Sequence, residues 1–144
     1  LAINRFTPEL LCQNLKRSLN FYVGIAGFTV LFERPEHGFA YLEREGVQIM
    51  LEQIGAEREW ITGELSYPFG RGINFQIGVS DVDALYQSVL QVSWPVYLAL
   101  EEKWYRQNMM ESGNRQFLVQ DPDGYLLRFA QDLGRRPHQG ANKT

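Results

Sequence analysis

Apolar side chains occupy every other position through Val47, Ile49 and Leu51, and again through Tyr125, Leu127 and Phe129. A period of two marks a strand with one buried face. Each run follows a shorter strand-like run and an acidic turn closed by Gly46 or Gly124, so residues 39–53 and 117–131 spell the same β-hairpin twice. Upstream of each hairpin the period changes. Residues 6–12 are strand-like, and after Asn14 the apolar Leu15, Leu19, Tyr22 and Val23 recur at helical spacing. Residues 73–79 are again strand-like, and Ser80 with Asp83 three positions on predicts a second helix start, a capping box with Asp in place of Glu. Residues 28–32 and 96–100 supply the strand after each helix. The chain therefore reads as βαβββ twice, an α+β fold. Module one covers about residues 5–54, a linker 55–71, and module two 72–133, together a single domain over 1–133 with a flexible tail at 134–144.

Strand parity separates two faces. Val47, Ile49 and Leu51 point to one side and Gln48, Met50 and Glu52 to the other; Tyr125, Leu127 and Phe129 oppose Leu126, Arg128 and Ala130. In residues 73–79 the buried set is Ile73, Phe75, Ile77 and Val79, leaving Asn74, Gln76 and Gly78. The first strand presents Thr7 and Glu9. One sheet face is apolar. The other is polar, and is either wet surface or, if two modules curl together, a groove.

Composition narrows the function classes. The 144 residues, 44% of them hydrophobic, suffice for one or two small cores, and no apolar run is long enough to span a bilayer. A net charge of −3 argues against nucleic acid and favours a cationic ligand. The single Cys12, in an apolar strand, reads as a small core residue; with no signal-peptide pattern, a reducing cytoplasm is the expected compartment. The serines have no paired base in a recognisable motif. Gly70-Arg71-Gly72 precedes a strand, whereas a phosphate-binding glycine loop opens a helix. Asp121-Pro122-Asp123-Gly124 has the chemistry of a turn.

The paired βαβββ plan, the helix start with Asn14, Leu15, Ser18, Leu19, Phe21 and Tyr22, Gly27-Phe28, and Arg115, Phe117 and Asp121 through Tyr125 together resemble the vicinal oxygen chelate superfamily. That group includes glyoxalase I, extradiol dioxygenases, fosfomycin-resistance enzymes and bleomycin-resistance proteins. The resemblance covers about residues 5–133 and implies curved mixed sheets around a groove, the glyoxalase/bleomycin-resistance fold. Enzymes of the superfamily hold a divalent ion with His and Glu. Matching the motifs places Thr7, Asn74 and Arg128 at three of those positions and Met50 near the fourth, a poor donor set in which Arg128 would repel a cation. The two histidines, His37 and His138, fall in a turn and in the tail. Glu9 and Glu52 leave a carboxylate site for a hard metal open.

The resemblance therefore points to the bleomycin-resistance proteins, which sequester a drug without metal, cofactor or reaction. They are homodimers whose grooves are built from both subunits, with aromatic rings on the drug and carboxylates on its charge. Carried over, the ligand-binding set is Phe32, Phe39, Met50, Glu52, Asn74, Gln76 and Arg128, with Trp60, Trp104 and Tyr105 as replacement stacking surface. The alternative within the superfamily is a metal-dependent lyase or dioxygenase.

Overall fold

The computed structural model describes residues 2–56 and 60–138. The order is β1 (Glu9–Cys12), α1 (Leu15–Gly24), β2 (Thr29–Arg34), β3 (Phe39–Arg44), β4 (Val47–Gln53), β5 (Asn74–Gly78), α2 (Val82–Gln91), β6 (Val96–Gln107), β7 (Met110–Gln120) and β8 (Leu126–Pro137), with a 3-10 turn at Pro35–His37. Two four-stranded sheets result, ordered β1-β4-β3-β2 and β5-β8-β7-β6. The repeated strand-helix-strand-hairpin plan is present in both. The chain forms two compact units, residues 1–74 with 120–126, and residues 75–119 with 127–144.

In the first unit β1 runs parallel to β4, while β3 is antiparallel to both β4 and β2. Asn14 caps α1 as expected, its Oδ1 accepting from the Arg17 amide at 2.9 Å. Phe21, Tyr22, Phe28, Leu42 and Leu51 are almost fully enclosed between helix and sheet, with edge-to-face ring contacts of Tyr22 to Phe21 and Phe28 at 5.1 and 5.7 Å. The first hairpin turns on two residues with positive φ, Glu45 and Gly46, matching the right-handed twist of its strands.

The Asp-Pro-Asp-Gly turn is a structural knot of buried carboxylates. Asp121 accepts from the Tyr22 hydroxyl at 2.8 Å and from the Asp123 and Tyr125 amides at 2.8 and 3.0 Å. Asp123 is fully buried and accepts from the Gln13 amide and the Ser18 hydroxyl. Burial pushes the Asp121 carboxyl up to about 6 against the opposing pull of its three donors, and it pushes the Cys12 thiol to about 12, consistent with an inert core cysteine. Because its folded pKa lies above its unfolded value, Asp121 contributes stability that is complete below about pH 4 and lost as pH rises through about 6. Asp121→Asn keeps an acceptor for both amides. The variant is expected to gain on the parent by up to about 3 kcal/mol between pH 4 and 7, read as the difference between two urea-denaturation series. A constant difference across that range would contradict it.

In the second unit Phe117 joins Tyr86 of α2 at 5.0 Å and Phe129 of β8 at 5.5 Å, placing Leu127 and Phe129 in the core as parity predicts. Four expectations need correction. The cap of α2 is Asp81, not Ser80; its carboxylate accepts from the Ala84 amide at 3.0 Å, and Gln131 Oε1 takes the Val82 amide. Ile73 lies ahead of β5 and is 56% exposed. The strand expected at 96–100 continues to Gln107 as an arm paired with β7. Where the sequence places a flexible tail from Gly134, β8 continues through Pro137 and the His138 amide bonds Met109; the remainder of that tail, 139–144, lies outside the described residues.

Candidate functional site

The polar face of the first sheet is built by parity as the sequence predicts. The register pairs Phe39 with Glu52, Tyr41 with Met50, and Phe32 with Tyr41, so these side chains share one face. Phe32 and Tyr41 stack at 4.8 Å with their planes 16° apart, and Phe39 lies 6.2 Å from Phe32. Tyr41 is the residue that sequence reasoning missed, although it alternates with Phe39. Phe39 is buried, covered by the Arg34 guanidinium at 4.0 Å, and Tyr41 is held by a 2.7 Å bond to Gln48. Phe32, 42% exposed, is the ring this stack offers to solvent.

This face is not simply wet surface. Residues from the connection fold beside it and leave a cleft of about 480 Å³, lined by Thr7, Glu9, Leu11, Met50 and Glu52 from the sheet side, Trp60, Ile61, Thr62 and Leu65 from the connection, and Tyr125. Tyr125 corrects the parity assignment. It precedes β8, belongs to the first unit, donates to the Leu11 carbonyl at 2.9 Å, and packs edge-on to Phe69. Burial raises its hydroxyl pKa. Trp60 is 74% exposed at this cleft, whereas Glu52 is only 5% exposed. Among the described residues no hydrogen-bond donor meets the Glu52 carboxylate.

The remaining candidates divide differently. Asn74 opens β5 and is exposed, as is Gln76. Arg128 is half-buried on β8, and among the described residues its Nε has no hydrogen-bond partner. Tyr105 meets the Gln116 amide at 2.6 Å. Its neighbour Trp104 points to the opposite face of β6: it pairs with Gly113, where a Cβ would strike the indole at 2.7 Å, and Arg136 covers the ring at 3.7 Å. The Trp104 indole is thus packed against Gly113 and Arg136 within the second unit. Arg136 and His138 both pair with Glu111, holding that carboxyl below its usual range.

A divalent ion finds poor donors here. Thr7 and Met50 line the cleft beside the Glu9 and Glu52 carboxylates, and among the described residues no three His, Cys, Asp or Glu side chains converge. The arrangement suits a positively charged organic group, with a carboxylate at the floor and an indole at the rim.

Comparison with known proteins agrees with the architecture. No curated protein matches the chain. Among solved structures, TioX from Micromonospora sp. ML1 is 23% identical, with 90% of this chain and 99% of that one covered and a TM-score of 0.70. A bleomycin resistance determinant encoded on transposon Tn5 is 19% identical over 91% and 99%, with a TM-score of 0.60. A glyoxalase/bleomycin resistance protein/dioxygenase superfamily member from Vibrio splendidus 12B01 is 43% identical over 86% and 95%, with a TM-score of 0.41. A family model matches residues 2–129, nearly the whole repeated plan, and the chain belongs to the Glyoxalase/Bleomycin resistance protein/Dioxygenase superfamily.

Proposed function

We propose that the protein is a metal-free binding protein that sequesters a small, flat, cationic molecule of the bleomycin type in the cleft that contains Glu52. The carrying observation is the Glu52 carboxylate: 5% exposed, lining a cleft, and lacking a described donor. A largely enclosed carboxylate that no protein donor meets is left to solvent, and a bound cation would supply the partner it lacks. Glu9 adds charge of the same sign, and Trp60 offers a planar surface at the rim. The likeness to the Tn5 bleomycin resistance determinant supports a fold able to serve such a role. A metal-dependent lyase or dioxygenase requires a donor set that Thr7 and Met50 do not supply. Elemental analysis of protein purified without chelator tests this: sub-stoichiometric Zn, Ni, Mn and Fe are expected, and a full equivalent of any of them contradicts the reading.

The reading includes a homodimer whose second copy completes the groove. Its support is the exposed Phe32 and Val30 on edge strand β2, an apolar edge that pairing would cover. Light scattering at micromolar concentration is expected to give twice the chain mass. A monomer alone would remove this part of the proposal.

A further inference from the structure

Beside the Glu52 cleft, the first unit holds a second one of about 370 Å³, whose walls include Ile54, Ile61, Leu65, Tyr67 and Phe69. Ile61 and Leu65 line both clefts. A side chain lines two concavities only where it stands between them, so the clefts adjoin along these residues. Their chemistry differs in balance. The first carries the Glu9 and Glu52 carboxylates beside its apolar lining, whereas the second has these five aliphatic or aromatic walls together with the polar Gln13, Glu64 and Ser66. Phe69 is 4% exposed, while Leu65 and Tyr67 are 38% and 60% exposed. Apolar surface gathered in a concavity, unlike single exposed leucines scattered over a protein, is surface that a ligand can take out of water.

We propose that the second cleft is the subsite for an apolar arm of the same ligand. The ligand class is then an amphipathic cation: a charged head at Glu52 and an alkyl or aryl arm running past Ile61 and Leu65 into the second cleft. This rests on the reading of the Glu52 cleft as a cation site. Both parts of such a molecule gain from burial, the head by ion pairing and the arm by about fourfold in affinity per methylene. A head without an arm forgoes the burial that the second cleft offers. An arm without a head lacks the charge that fixes its orientation.

The test is calorimetric titration with n-alkyltrimethylammonium ions from butyl to decyl. In the unaltered protein Kd is expected to fall about fourfold per added methylene and to level off once the arm outgrows the cleft. Gly63 lines this second cleft; a Cβ built there meets nothing within 4 Å, so Gly63→Phe introduces a ring without main-chain strain and is expected to flatten the chain-length dependence. Glu52→Gln is expected to weaken every member by a common factor and preserve the slope. Binding independent of chain length, but weakened by Glu52→Gln, overturns the arm subsite alone. A steep slope that Gly63→Phe leaves intact also overturns it. Absence of binding by every member, or indifference to Glu52→Gln, overturns the cation site and with it this inference.

Discussion

Gly124→Ala is expected to lower folding stability by about 2 to 5 kcal/mol, the sum of a conformational penalty and a steric one. Gly124 has a φ of +98°, outside the region that residues with a Cβ adopt readily. The added carbon would also fall 2.4 Å from Pro68 Cβ and 2.6 Å from Pro68 Cα, the latter a main-chain atom that cannot swing aside. Gly46 is the matched control. It closes the corresponding turn of the first hairpin at a φ of +87°, yet a Cβ there meets nothing within 4 Å. Gly46→Ala should therefore show only the conformational part, about 1 to 2 kcal/mol. Urea denaturation of both variants separates the two contributions. Equal losses would show that the contact between the turn and Pro68 is not tight in solution.

Glu52→Gln is expected to weaken a cationic ligand by about 1 to 3 kcal/mol, a roughly fivefold to 150-fold rise in Kd, while folding stability changes by less than about 1 kcal/mol. The substitution keeps the side-chain shape on β4 and removes the charge. Because Glu52 is almost wholly buried, added salt should screen the interaction only weakly. Phe39→Ala behaves differently. Phe39 lies beneath Arg34 and does not line the cleft, so its loss is expected chiefly as destabilisation of about 3 to 5 kcal/mol. Any change in affinity should follow from disturbance of the neighbouring Phe32 and Tyr41 rings. Calorimetry and urea denaturation on the same preparations distinguish these effects; a Glu52→Gln variant with parental affinity contradicts the first.

The internal repeat made much of the architecture legible. Alternation in β4 is regular, so it placed Met50 and Glu52 on the correct face, while Phe39 was reached only through the family resemblance; the Asn14 cap could be read directly because its side chain bonds locally. Parity failed where the backbone leaves the strand. Tyr125 belongs to a turn tied to β1 through Leu11, and Ile73 precedes β5, so neither obeys the alternation of the strand beside it. Trp104 and Tyr105 were grouped as aromatic neighbours, but adjacent residues in an extended strand face opposite ways. The sequence also treated residues 55–71 as a linker. Ile61, Leu65 and Phe69 carry no regular period, and their role as walls of two clefts depends on contacts distant in sequence.

The central claim is that a flat cation binds at Glu52 without metal. Its most direct test is titration of the metal-free protein with copper-free bleomycin, followed by tryptophan fluorescence, with Trp60 at the rim as the reporter. Saturable quenching in the parent, displaced to higher concentration in Glu52→Gln and lost from the signal in Trp60→Phe, is the predicted result. No saturable response up to about millimolar drug, a free energy of only about −4 kcal/mol, would contradict the drug-type ligand, and an identical curve for Glu52→Gln would contradict the site.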